Sequence, residues 1–409
     1  MNLIKKYKKI RAILITWPQS YFAAKLIKRY RPIVIGITGS TGKTTTKYFV
    51  DEILKHKYST RKTPGNDNFH GVFSTVLGVN PIHSLMGLIL SIPKIVNKTF
   101  REDKNYPEIL VIEYGTSSRG TLSYLISKIT PTLSIITNVG KAHLKYFKNI
   151  KAVANEKTSL VKCLDTNNYA LLNYDDNIVR SMGKYTKAKV LFYGFNEGAD
   201  IWAKDVDVSV TGVNFKIGYK NQSNTIFIPG IHARNSIYSI MAAVSVGLIY
   251  KMEFKEICNI LPKLKINKGR GNIVYGINNS ILIDDGYNSN PKSCHDSLIN
   301  FKELGAGRHK IAVLGDMLEL GNYSEQEHRK VGRLAVKIAD AIICLGENSK
   351  FIYQEALQHN FPEEKIYWTN NIIEVSDILF KMIKNKSIIL VKGSNKMNML
   401  SIVDNYKKY

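Results

Sequence analysis

Residues Thr38-Gly-Ser-Thr-Gly-Lys-Thr-Thr-Thr46 combine a glycine-containing turn, one lysine and a run of hydroxyls. Those are the groups that hold a triphosphate. Backbone N–H groups at a helix start point at phosphate oxygens, and the helix dipole adds positive potential there. Lys43 is placed to reach the β- and γ-phosphates and the Thr44 hydroxyl to bind Mg²⁺, with Gly39, Ser40, Thr41, Gly42 and Thr45 completing the cradle. Ile37 stands where the usual eight-residue P-loop has its first glycine, so the segment is a GxxGKT variant. Two further chemical groups end apolar runs: Glu113, in Glu113-Tyr-Gly115, and Asn138, which opens Asn138-Val-Gly-Lys-Ala-His143. A carboxylate beside a P-loop is a second Mg²⁺ ligand or a salt-bridge partner. A histidine there is a ligand or a structural group.

These residues need a rim to share. Residues 31–38 read as a buried strand, followed by a glycine turn and a helix through Leu54. Residues 109–113 and 133–137 are short β-branched runs of the kind buried on both faces of a parallel sheet. Strand ends of one sense then converge on a single edge, where ligands bind. Residues 190–230 show short alternating strands and turns, and a helix follows from about Ser236 to Tyr250. After Gly269-Arg-Gly271 the alternation restarts, with strands at 281–284, 310–314, 341–345 and 388–391. The expected fold is α/β: a central P-loop domain with a mostly parallel sheet (32–265), then a Rossmann-like C-terminal α/β domain (266–409). At roughly 150 residues per domain, 409 residues allow this.

Composition supports a folded chain that favours anions. Apolar residues make up 44% and the net charge is +25; such a surface attracts nucleotides, phosphorylated substrates, acidic lipid or nucleic acid. No DNA- or RNA-reading motif accompanies the charge, so the expectation is no nucleic-acid partner. The four cysteines lack CxxC spacing, which points to a reducing cytoplasm. Residues 1–31 are a basic segment without an acid. A helix over 3–30 would set Leu3, Ile4, Ile10, Ile13, Leu14, Trp17, Phe22 and Leu26 on one apolar side. It either touches an anionic membrane surface at the inner face or packs on the next domain with a solvated basic face. Residues 85–96 are too short to span and read as a buried or interfacial helix.

Taken together, the P-loop variant, Glu113, Asn138–His143 and Ile283-Asp-Asp-Gly-Tyr-Asn-Ser-Asn-Pro291 resemble the Mur ligases of peptidoglycan synthesis. Thr63-Pro-Gly-Asn-Asp-Asn68, Leu314-Gly-Asp-Met-Leu-Glu-Leu-Gly321 and Val391-Lys-Gly-Ser394 are similar to signatures of the branch that adds D-alanyl-D-alanine. The resemblance covers about residues 33–403. It implies ATP-dependent activation of a carboxylate as an acyl phosphate, followed by amine attack. The implied partners are a UDP-MurNAc-peptide or related acyl acceptor and the D-Ala-D-Ala dipeptide. The implied cofactors are ATP and two Mg²⁺. Catalysis would fall to Lys43, Glu113, His143 and Lys157. Thr44 and Glu113 would hold one metal and His143 the other, supported by a carbamylated Lys157. Arg270 would reach the phosphates and Asp285 the ribose, with Asn138, Tyr287, Asn288 and Asn290 nearby. Lys392-Gly-Ser394 would meet the dipeptide.

The chain also departs from that pattern. The loop starts at residue 38, after only a basic helix, where family members usually carry a UDP-sugar-binding domain; a lipid-linked or otherwise altered acceptor therefore stays open. Gly230-Ile-His-Ala-Arg-Asn-Ser236 aligns with the nucleotide-contacting segment through either His232 or Asn235. Ser159 replaces a glutamate and Asn395 an arginine. A P-loop ATPase acting on nucleic acid and a non-ligating family member are the competing readings.

Overall fold

The computed structural model describes residues 2–65, 69–116 and 118–407, with backbone alone for 2–13 and 69. Two sheets organise the chain. The first contains nine strands: β1 (Ile33–Thr38), β2 (Thr60–Lys62), β3 (Ile109–Glu113), β4 (Leu133–Ile136), β5 (Tyr169–Asn173), β6 (Lys189–Gly194), β7 (Ile201–Val208), β8 (Gly212–Tyr219) and β9 (Gln222–Pro229). Their order is β2-β3-β1-β4-β5-β6-β7-β8-β9. Pairing is parallel from β2 to β7 and antiparallel through β8 and β9. The second sheet holds β10 (Asn272–Tyr275), β11 (Ile281–Asp285), β12 (Lys310–Gly315), β13 (Ala341–Leu345), β14 (Ile366–Thr369) and β15 (Ile388–Lys392). Its order is β10-β11-β15-β12-β13-β14, parallel except for β10.

The strands are continuous apolar runs because both faces of each sheet are covered. In β1, Val34 packs on one face while Ile35 and Ile37 pack on the other. In β12, Ile311 and Val313 face one layer and Ala312 and Leu314 the opposite one. β1, β3 and β4 are parallel neighbours, so Thr38, Glu113 and Ile136 end together. That shared edge is the one expected from the sequence.

Four helices begin the chain: α1 (Asn2–Tyr30), α2 (Lys43–Leu54), α3 (Phe69–Leu77) and α4 (Leu85–Phe100). The apolar side drawn for α1 needs correcting. Leu14 and Trp17 are exposed, whereas Ile15, Ala23 and Leu26 are buried. Phe22 is partly buried and Leu26 fully so; Leu3, Ile4, Ile10 and Ile13 lie outside the described side chains. The helix is studded with apolar residues round its circumference, and packing against α3 and α4 decides which stripe is covered. Lys25, Lys28 and Arg29 are exposed, as expected for a solvated basic face. No described helix is long and apolar enough to cross a membrane. All four cysteines are free thiols.

Candidate active site

The phosphate loop is built by three strand ends. β1 stops at Thr38, and the chain turns through Gly42, at φ 80°, into α2. That left-handed backbone suits glycine. A Cβ on Gly39 would stand 1.8 Å from Thr137 Oγ1, so a glycine lets the loop lie against the end of β4. The segment after β4 braces the loop. Asn138 Oδ1 accepts from Thr41 N (2.9 Å), and its Nδ2 donates to Thr41 Oγ1 (2.6 Å). Ser40 N donates to Asn138 O (3.0 Å), and Gly140 N donates to Ser40 Oγ (2.8 Å). Asn138 thus shapes the loop through its amide.

At the end of β3, Glu113 is buried. Its Oε1 accepts from Thr44 Oγ1 (3.0 Å) and its Oε2 from Lys47 Nζ (2.9 Å). Lys47 also donates to Gly65 O (2.9 Å). This lysine escapes a motif search, although it lies four residues past Lys43 and hence one turn along the same helix. His143, in a left-handed conformation at φ 55°, sets Nδ1 2.6 Å from Glu319 Oε2. Burial and then the charge of Lys43 hold its pKa below the ordinary value, with a smaller push from Lys157 and an opposing pull from Glu319. An Nδ1–H given to Glu319 leaves the lone pair on Nε2, the arrangement of a metal-ligating histidine oriented by a carboxylate. Lys157 is buried on the helix Ile150–Lys162, close enough for His143 to feel its charge. The neighbouring Glu156 caps the helix Thr121–Lys128 through Gly120 N (2.9 Å) and Leu122 N (2.8 Å).

The second sheet supplies the facing wall. Arg270 lies over the Tyr287 ring (4.1 Å) and donates to Thr44 Oγ1 (3.4 Å). Asp284 accepts from Gly269 N (3.0 Å), and burial raises its pKa. Asp285 accepts from Lys392 Nζ (2.8 Å) and from Ser297 Oγ. Lys392 Nζ also donates to Asn288 O (3.0 Å), and Asn288 Oδ1 accepts from Ser289 N (2.9 Å). Asn290 caps the helix Pro291–Leu304 and extends Nδ2 to Ser40 O (3.4 Å). The bonds from Arg270 to Thr44, from Asn290 to Ser40 and from Lys141 Nζ to Glu327 (2.8 Å) bridge the two lobes.

A cavity of about 690 Å³ lies between them. Ser40, Thr41, Gly42, Lys43, Thr44, Thr45, Glu113 and His143 line it from one lobe, with Asn235 beside them. Arg270, Asp285, Tyr287, Asn288, Asn290 and the Lys392–Ser394 turn line it from the other. Gly39, Asn138 and Lys157 fall outside this lining. The two candidates at 230–236 differ in position. Asn235 faces the cavity, whereas His232 is buried, with Nδ1 3.1 Å from Ser209 O. Neither His70 nor Glu319 carried an expected role, yet both line the cavity. Across Thr41 and Gly42 a second cavity of about 410 Å³ is walled by Asn138, Asp175, Asp176, Asn235 and Tyr238. There Tyr238 OH donates to Asp175 Oδ2 (2.9 Å), an element with no sequence signature. Asn66, Asp67 and Asn68 of the Thr63–Asn68 segment lie outside the described residues.

The donor set suits Mg²⁺. It offers a hydroxyl, a buried carboxylate and an imidazole beside a phosphate cradle, and Mg²⁺ in such sites keeps few protein ligands and completes its shell with phosphate and water. Among the described residues no group of three or more His, Cys, Asp or Glu is placed to hold a metal ion by itself.

A P-loop facing an arginine of the second lobe across a cleft, with carboxylate and imidazole at the strand ends, defines a nucleotide-dependent group-transfer enzyme. Comparison narrows the class. Residues 37–247 match the Mur ligase middle domain and residues 269–395 match the Mur ligase, glutamate ligase domain. The chain belongs to the Mur ligase family, and it is an ATP-dependent amide-forming ligase. It is 28% identical over 374 residues to the UDP-N-acetylmuramoyl-tripeptide–D-alanyl-D-alanine ligase of Bacillus subtilis, covering 90% of this chain and 75% of that one. The corresponding ligase of Rickettsia prowazekii is 27% identical over 383 residues, covering 91% and 78%. In fold it is similar to MurF from Acinetobacter baumannii (TM-score 0.81, 24% identity, 96% and 80% coverage). It is also similar to the MurF ligase from Thermotoga maritima in complex with ADP (TM-score 0.79, 24% identity, 96% and 83% coverage).

Proposed function

We propose that the enzyme joins D-alanyl-D-alanine to the terminal carboxylate of a UDP-N-acetylmuramoyl-tripeptide, using ATP. The observation that carries this reading is the cleft itself: Lys43, Thr44, Glu113 and His143 share one cavity with Arg270, Asp285 and Lys392 of the facing lobe. The named relatives supply the substrates. The chain divides, in this reading, into a basic amphipathic N-terminal segment (1–31), a central P-loop domain (32–265) and a C-terminal domain (266–409).

Loop N–H groups and Lys43 bind the phosphates, and Arg270 approaches from the opposite side, so the γ-phosphoryl group sits among fixed positive charge. Thr44 and Glu113 would hold one Mg²⁺ and His143 a second, and the metal supplies charge neutralisation between phosphate and acceptor carboxylate. A carbamate on Lys157 would offer a further oxygen donor behind His143. Asp285 receives the ribose, and the base follows Asn235 toward Tyr238 and Asp175 in the second cavity. The acceptor carboxylate attacks the γ-phosphorus, releasing ADP and forming an acyl phosphate. The dipeptide amine then attacks the acyl carbon, and phosphate departs. Closure by the His143–Glu319 and Arg270–Thr44 contacts excludes water, which would otherwise hydrolyse the acyl phosphate.

A substrate panel tests this. UDP-MurNAc-tripeptide, lipid-linked and non-cell-wall carboxylates are each supplied with ATP and D-Ala-D-Ala, and products are read by mass. A UDP-MurNAc-pentapeptide is expected. Amide product with another acceptor alone would keep the reaction and overturn the substrate. Phosphate release driven by DNA or RNA would overturn both.

A further inference from the structure

Among the described residues, helices α1 and α4 present an exposed apolar surface. On α1, Leu14, Trp17 and Tyr21 are exposed at helical spacing, and Trp17 stacks on Tyr21 at 5.7 Å. On α4, Met86, Ile89, Leu90 and Phe100 are more than half exposed, Leu90 reaching 74%. The opposite stripes are committed inward: Ile15 and Leu26 on α1, Leu88 and Ile95 on α4. The two exposed stripes form one surface, because Lys25 Nζ lies 4.7 Å from the Tyr21 ring and 5.6 Å from the Phe100 ring. Single exposed apolar residues are ordinary, but a contiguous patch on two helices marks an interaction site.

Charge identifies the occupant. By sequence, Asn2–Tyr30 and Leu85–Phe100 carry ten Lys and Arg and no Asp or Glu. Lys25, Lys28 and Lys94 are exposed around the apolar stripe. The acids nearest to α4 in sequence follow its end, and one of them, Asp103, is paired with Lys98 (3.5 Å). A second copy of this chain would bring like charges face to face across the contact. An anionic lipid surface neutralises them, accepts the apolar side chains below its headgroups, and suits Trp17 and Tyr21 at the boundary. We propose that the α1–α4 surface seats the enzyme on an anionic membrane, lying in the interface without spanning it.

The same helix reaches the active site from its other side. Gln19 lies two residues from both Trp17 and Tyr21, hence on the opposite face. It is buried, and its Nε2 is 3.4 Å from His70 Nδ1, a residue of the cavity wall. Seating on lipid therefore fixes the cleft's height and orientation relative to the bilayer. The proposal does not depend on the identity of the acceptor.

Full-length protein is mixed with vesicles of phosphatidylglycerol and phosphatidylcholine in equal parts, or of phosphatidylcholine alone, and sedimented without substrates. Binding to the anionic vesicles is expected, with a blue shift in emission that Trp17→Phe removes. Ile89→Asp with Leu90→Asp, at exposed positions, should reduce the bound fraction by about tenfold or more. Lys25→Glu with Lys28→Glu should weaken binding and flatten its salt dependence, whereas Lys187→Glu with Lys189→Glu, remote from the patch, should leave it unchanged. Absence of anionic-vesicle binding would overturn the proposal. So would insensitivity to the Ile89/Leu90 pair, equal loss in the Lys187/Lys189 control, or a dimer in size-exclusion chromatography that the Ile89/Leu90 pair dissolves. Circular dichroism of each variant separates loss of binding from loss of fold.

Discussion

His143 and Glu319 meet at 2.6 Å across the cleft, although 176 residues separate them in the chain. The contact joins a loop after β4 to a loop after β12, and so bridges the two lobes. It also fixes which imidazole nitrogen is free for a ligand. Glu319 is a positioning residue in this account, acting through His143.

The pH dependence of the rate follows from that pair. Burial and Lys43 lower the His143 pKa, so the ring is neutral at pH 7 and its lone pair is lost only as pH falls below the ordinary histidine range. Glu319 opposes this lowering. Glu319→Gln should move the acidic limb of kcat/KM to lower pH, because the protonated ring loses its carboxylate, and should raise KM through weaker closure. A pH–rate profile checks both; a merely structural role would leave the limb in place.

Lys47 and Glu113 form an ion pair with both side chains almost wholly buried. Lys47→Met would leave an uncompensated carboxylate and should cost about 3–5 kcal/mol of stability. Lys47→Met with Glu113→Gln should recover much of that loss while activity stays low. Urea denaturation of the two variants provides the comparison.

In the proposed mechanism Lys43 binds the phosphates, so Lys43→Ala should lower kcat by about 100- to 1000-fold. Thermal denaturation should change little, since Lys43 opens α2 at the cavity wall. Steady-state kinetics alongside a melting curve separates the two effects.

On the proposed carbamate, Lys157→Ala should inactivate the enzyme, with short carboxylic acids partly restoring activity by supplying the missing oxygen donor. Activity equal to the unsubstituted enzyme would remove Lys157 from the reaction. Inactivity without rescue, together with a lowered melting temperature, would assign it to packing of the helix Ile150–Lys162.

The phosphate loop and the strand ends were legible in the sequence because their geometry is local: β1, the glycine turn and α2 are consecutive. Glu113 and His143 could be placed on one rim from strand pattern alone. Their partners could not. Lys47 is one of 58 Lys and Arg residues, and only its burial against Glu113 sets it apart. Glu319 sits in a recognisable run, but its target, His143, lies on the other lobe and 176 residues away in the chain. The choice between His232 and Asn235 depended on which side chain turns toward the cleft. For α1, apolar residues on every side left the buried stripe to be decided by α3 and α4.

The most direct test follows oxygen. The acceptor carboxylate is labelled with ¹⁸O, and turnover is run with ATP and D-Ala-D-Ala. Attack of that carboxylate on the γ-phosphorus predicts one labelled oxygen in inorganic phosphate for each amide formed, with ADP as the nucleotide product. Label appearing in AMP, or unlabelled phosphate accompanying amide formation, would contradict the acyl-phosphate route through this cleft.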